Sequence, residues 1–209
     1  MSNETKDTNK IDLSRRNLLK VTVAALLAGV ADPLFPHLSS TYAAETGTGG
    51  KNMLITYYSR TGNTREIANQ IHERVGGEII ELQTVEPYPE DYEAVKKQAM
   101  QELNSGFKPA LKTKVKKIGS YDVIFVGTPI WWGTIAAPVK SFLSEYELSG
   151  KTIVPFITHA GSGLGRSVTD ISKLCPKSTL LNGVAIWGRD ATNAQNEVSE
   201  WLRQIKITK

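Results

Sequence analysis

The sequence predicts an α/β domain over residues 51–209, built on an open, doubly wound, five-stranded parallel sheet. Three observations predict it. Five short apolar runs recur along this stretch, a helical pattern follows each of them, and several of the connecting loops are rich in Gly, Thr and Ser. Strands alternating with helices bury best as a parallel sheet covered on both faces.

The elements follow in order. Residues 53–59, MLITYYS, form a near-continuous apolar run, as a strand buried on both faces requires. Residues 64–75 place Ile67, Ala68, Ile71 and Val75 on one helical face. EIIELQT (78–84) is the second strand, and after the turn residues Pro87 and Pro89 a helix is expected over 91–104. YDVIFVGT (121–128) is the third strand, and a short helix is expected over 139–146. KTIVPFIT (151–158) is the fourth strand, although Pro155 removes a ladder donor from it. A helix over 166–174 leads to the fifth strand, TLLNGVAIWG (179–188). Val198, Trp201, Leu202 and Ile205 then stand at helical spacing within 193–207.

Residues 1–44 read differently. A polar stretch precedes SRRNLLK (14–20), and the ten-residue apolar run Val21–Val30 follows. A membrane span needs about 20 apolar residues, so this run fits a signal-peptide core instead. The paired Arg15 and Arg16 resemble a twin-arginine export signal. The expected partner during export is the twin-arginine translocon, and the expected location is periplasmic or otherwise extracytoplasmic. Cleavage is expected near Ala43 or Ala44, and ETGTGG (45–50) reads as a linker.

The chain holds 25 Lys+Arg and 21 Asp+Glu, of which residues 1–44 contribute five and four. Residues 45–209 therefore carry 20 basic and 17 acidic side chains, a net charge of +3. The lysines at 108, 112, 114, 116 and 117 read as a solvated surface, with docking to an anionic surface as the sharper alternative. They lack the interleaved aromatics of a nucleic-acid site. One cysteine, Cys175, excludes an internal disulfide and a dithiol redox centre. His37, His72 and His159 are too scattered to suggest a zinc site, so no metal is expected.

In open parallel sheets, ligands bind beyond the carboxyl ends of the strands. After the first strand, Ser59-Arg60-Thr61-Gly62-Asn63-Thr64 runs straight into a helix. Free backbone N–H groups and a positive dipole end there suit a phosphate. Without the lysine of a P-loop, and with Arg60 as its only base, this cradle suits one monophosphate. An ordinary Thr/Asn-rich helix start is the competing reading. After the third strand, Thr128-Pro129-Ile130-Trp131-Trp132-Gly133 carries two adjacent tryptophans. They cannot both point inward in regular structure, and a flat aromatic ligand would explain them; a loop pinned to the core explains either one singly. After the fourth strand, Thr158-His159-Ala160-Gly161-Ser162-Gly163 permits close backbone approach, or is a plain flexible loop.

Taken together, YYSRTGNTREIA, GTPIWWGTIAAPVKSFL and FITHAGSGLGRSV resemble the flavodoxin-like FMN-binding family over nearly all of residues 52–207. The resemblance implies strand order 2-1-3-4-5, with FMN at the switch point between the first and third strands. It implies that residues 59–64 hold the phosphate, that 128–133 line the ring with one Trp stacked on it, and that 158–163 edge the pyrimidine. FMN is held without a covalent bond, and a twin-arginine route carries folded proteins, so the two motifs support one account.

Two function classes follow. One is an electron carrier, but carriers of this kind resemble strongly acidic proteins, and the net charge here is +3. The other is an FMN-dependent reductase of quinones or similar acceptors, because 159–165 holds no aromatic to cover the outer ring face. A non-redox flavin scaffold ranks last. His159 is expected to hydrogen-bond within its loop rather than to act as a proton donor, so no catalytic residue is assigned.

Overall fold

Each central strand sends alternate side chains into two separate cores, which is why its sequence reads as an unbroken apolar run. A computed structural model describes residues 50–207. The export signal, its cleavage site and most of the linker lie outside the described residues.

Strand β1 (Met53–Tyr57) pairs in parallel with β2 (Glu78–Glu81) and β3 (Val123–Trp131), and β3 pairs in parallel with β5 (Thr152–His159). Ile55, Phe125, Val154 and Phe156 face one side, under α1 (Asn63–Val75) and α5 (Gln195–Gln204). Leu54, Ile124, Val126 and Ile153 face the other, under α3 (Ala137–Glu145) and α4 (Ser167–Leu174). Helix α5 buries Val198, Trp201 and Leu202. Each such side chain contributes about 1.5–3 kcal/mol by leaving water. Packing therefore holds this ten-residue helix, which is too short to be stable alone. Helix α2 (Tyr92–Ser105) starts where the Asp91 carboxylate accepts the Ala94 N–H at 2.8 Å, and it stops at Gly106, in the left-handed region at φ 68°. Cys175 is buried in the second core, and the five lysines of 108–117 are all exposed.

The doubly wound class and the sequence of its five main positions hold, but the sheet has seven strands instead of five. The expected fifth strand is split into β6 (Thr179–Leu180) and β7 (Val184–Trp187), both parallel to β5. Pro155 is the reason. Lys151 and Ile153 turn their carbonyls to the fifth position, accepting from Thr179 and Leu181 at 2.8 and 3.0 Å. Backbone groups alternate sides along a strand, so Pro155, which has no N–H, faces the same neighbour. The neighbour breaks there, and Gly183 lies so close that a Cβ would sit 3.0 Å from the Pro155 carbonyl oxygen. The other addition is β4 (Thr134–Ile135), which folds back antiparallel on the end of β3.

Candidate functional site

The chain leaves β1 through a tight loop. The Ser59 hydroxyl accepts the Gly62 N–H at 3.1 Å, and Gly62 adopts φ +91°, which favours glycine. The first intrahelical bond of α1 runs from Glu66 N–H to Gly62 O at 2.9 Å, and no side chain caps this end. The amides of Asn63, Thr64 and Arg65 thus form an open helix N-terminus, which attracts anions. Arg60 donates through its Nη2 to the Glu90 carbonyl at 2.7 Å and lies 5.8 Å from the Tyr92 ring centre. Its Nε is buried without a hydrogen-bond partner, an orphan donor beside the cradle. The Thr64 hydroxyl is buried and lies 2.7 Å from that of Thr158, which ties the loop to β5.

The end of β3 separates its two tryptophans. Trp131 turns inward, its ring centre 5.0 Å from Tyr88 and 5.5 Å from Tyr58, both edge-on. Trp131 and Thr134 are paired, so Trp132 and Gly133 are the two residues of a hairpin turn. Both have positive φ, 51° and 77°, as the tightest hairpins require. A tryptophan in that region is strained, and such strain persists only where other contacts enforce it. Here the Trp132 indole N–H donates to the Lys96 carbonyl at 3.0 Å, and the side chain remains 43% exposed. Thr128 is fully buried: its hydroxyl donates to Pro129 O and accepts from Ala136 N–H, bracing the turn from within.

Beyond β5, the Gly161 N–H donates to His159 Nδ1 at 2.9 Å. A nitrogen that accepts carries a lone pair, so the neutral ring holds its proton on Nε2. Gly165 closes the loop against the tryptophan turn, where a Cβ would sit 2.5 Å from the Gly133 carbonyl oxygen. That carbonyl accepts the Arg166 N–H at 2.7 Å.

These loops meet at one cavity of about 480 Å³, beyond the carboxyl ends of the strands. Of the residues singled out in the sequence, Arg60, Thr61, Asn63, Thr64, Pro129, Ile130, Trp131, Trp132, Thr158, His159 and Ala160 line it. Ser59, Gly62, Thr128 and Gly133 instead shape the loops that carry the lining, and Gly161, Ser162 and Gly163 lie outside it. Two walls were not expected. One is the α2 face around Val95 and Lys96; the other is Trp187-Gly188-Arg189 at the end of β7. Trp187 stands 5.2 Å from His159, ring to ring, and the Arg189 guanidinium lies 4.2 Å from its ring centre. The signal for the second wall was the position itself, since IWG at 186–188 ends a parallel strand as IWWG does at 130–133. Among the described residues, no cluster of three or more His, Cys, Asp or Glu is placed to hold a metal. No described helix is long and apolar enough to cross a membrane.

A family model described as flavodoxin matches residues 52–205. The fold is similar to a crystal structure of a candidate flavoprotein from Bacteroides eggerthii, at 31% identity and TM-score 0.68, over 76% of this chain and 99% of that one. A second candidate flavoprotein, from Bacteroides uniformis, is 26% identical at TM-score 0.65, over 74% of this chain and 99% of that one. A flavoprotein from Lactobacillus acidophilus, crystallised in complex with FMN, is 25% identical at TM-score 0.57, over 68% of this chain and 97% of that one.

Proposed function

As the chain belongs to the flavodoxin family, matched over residues 52–205, we propose that it is an exported FMN-binding redox protein that transfers electrons through the bound cofactor. The observation that carries this reading is the cavity. An uncapped helix N-terminus with an orphan Arg60 donor lies at one part of it, and exposed indole faces at another. Hydroxyls, amides and one guanidinium fit a single phosphate, and flat aromatic walls fit a flavin ring. The FMN complex of the Lactobacillus acidophilus relative supports the choice of ligand.

Bound there, FMN would supply a ring that accepts and returns electrons. The chain's own residues bind and orient it. Thr61, Asn63 and Thr64 with the α1 amides would hold the phosphate, while Ser59 and Gly62 keep their loop curled. Trp132, fixed by Lys96, would present its ring to the flavin, and Thr128 holds that turn in place. His159 Nδ1 is occupied, which leaves Nε2–H as its donor.

The second reading is an FMN-dependent reductase of quinones or similar acceptors. The lining favours it, because the wall contains no Asp or Glu of the kind an acidic carrier uses for docking. Export rests on Arg15-Arg16 and the apolar run after them.

The test is loading. The purified chain should take up one FMN, releasable by acid. Thr61→Val with Asn63→Ala should weaken FMN at least about tenfold, since hydrogen bonds to charged groups are worth about 1.5–3 kcal/mol. Riboflavin, which lacks the phosphate, should bind the variant as it binds the parent. A chain that refuses FMN would sink the reading, and equal losses for both ligands would remove the phosphate from this loop. Separated one-electron potentials in an anaerobic reductive titration, with slow quinone reduction, would select the carrier. Fast turnover of quinones would select the reductase.

A further inference from the structure

The mouth of the cavity combines aromatic faces with positive charge. Trp187 is 38% exposed, Trp132 43% and Tyr92 64%. The Trp187 ring centre lies 5.2 Å from that of His159 and 4.2 Å from the Arg189 guanidinium. The charged residues lining the cavity are Arg60, Lys96 and Arg189, all cationic. The carboxylates paired with Lys96 and Arg189 stand outside the lining. Glu93 lies 3.1 Å from Lys96 Nζ, and Asp190 3.6 Å from Arg189 Nε. Exposed pairs of this kind are worth about 0–1 kcal/mol, so both cations stay available to an incoming anion. The Arg189 side chain is 72% exposed.

We propose that this mouth is a binding subsite for a small, flat, anionic aromatic molecule, such as a quinone bearing a sulfonate or carboxylate. The ring stacks on Trp187, and the anionic substituent pairs with Arg189 and Lys96. This rests on the reading that FMN fills the inner part of the cavity, and it names the chemical class of the outer ligand. Charge decides the choice among flat ligands. Aromatic stacking alone accepts neutral and charged rings alike, whereas Lys96 and Arg189, which the phosphate leaves unassigned, favour anions and repel cations where the lining holds no carboxylate.

The experiment uses the FMN-loaded chain, its flavin content checked by absorbance, with anthraquinone-2-sulfonate and the uncharged 2-(hydroxymethyl)anthraquinone as probes in equilibrium dialysis. At low salt the sulfonate should bind about fivefold more tightly, the yield expected from a few partly exposed charges. That advantage should shrink in about 0.5 M NaCl, where charges are screened within a few ångströms. Arg189→Gln with Lys96→Gln, both on exposed side chains, should remove the advantage and leave the uncharged probe within about twofold of the parent. Trp187→Leu should weaken both probes alike. Equal binding of the two probes to the loaded parent would overturn the proposal, as would a sulfonate preference that survives the double variant. A chain that takes up no FMN would overturn the function reading and this proposal together; loading followed by equal probe binding would overturn this proposal alone.

Discussion

The hydroxyl of Thr64, in the first turn of α1, lies 2.7 Å from the hydroxyl of Thr158, near the end of β5, and the two side chains are 1% and 4% exposed. They are 94 residues apart in the chain. Each is the other's buried side-chain partner, and together they lock the helix that begins at the cradle to the strand that carries His159. Thr64→Val or Thr158→Val alone strands one buried hydroxyl and should cost about 1–3 kcal/mol. The double variant should cost clearly less than the sum, because it removes both polar groups. Urea unfolding of the ligand-free chain measures all four corners of the cycle. Strictly additive losses would show that the hydroxyls are not coupled.

Gly127, in the centre of β3, leaves room for a ring. A Cβ there would meet the Phe156 ring at 2.1 Å and the Tyr57 Cβ at 2.7 Å. Its φ is not in the left-handed region, so the constraint is volume alone. Gly127→Ala should lose about 1–3 kcal/mol by overpacking. Phe156→Leu in the same chain should recover part of that loss, which thermal or urea unfolding would reveal. A Gly127→Ala chain as stable as the parent would mean that the Phe156 ring moves aside at no cost.

Alkaline pH should loosen the second core. Burial pushes the Cys175 thiol up to about 11 and the Tyr58 hydroxyl up to about 12. Both groups are neutral acids that ionise more readily once unfolded. Their contribution is therefore complete below the unfolded values, 9.0 and 10.0, and is lost as pH rises towards 11 and 12. Unfolding midpoints should be insensitive to these groups from neutrality to about pH 9 and fall above it. Cys175 should react slowly with thiol reagents at pH 8 until denaturant is added. Rapid labelling of the native chain would show that the thiol is not shielded as described.

The proposed export gives a prediction at the level of the whole cell. Arg15→Lys with Arg16→Lys keeps the charge and removes the pair. The full chain should then accumulate in the cytoplasm, folded and yellow. Unchanged export of this double variant would mean that the paired arginines do not direct the route.

Much of this molecule can be read from its sequence, for a local reason. Apolar periodicity reports which face of an element is buried, and it located β1, β3, β5 and the five α-helices of the described residues to within a few residues. The loops that leave β1, β3 and β5 stood out because open helix starts, paired indoles and clustered glycines are costly unless used. Other features were not legible. Nothing near Trp187 says that it meets His159, and nothing near Lys96 says that its carbonyl receives the Trp132 indole. Nor does the sequence choose which of two adjacent tryptophans turns inward. The hairpin register of Trp131 with Thr134 decides that.

By itself, then, the sequence determined the class of the fold, the order of its elements and the end of the sheet where a ligand belongs, because hydrophobic alternation and turn chemistry act within a few residues. Only the tertiary structure decided the break in the fifth strand opposite Pro155, the Thr64–Thr158 lock and the meeting of Lys96 and Arg189, from two separate walls, at one cavity. Each of these joins segments far apart in the chain, and their meeting depends on strand register and packing, which no local pattern encodes.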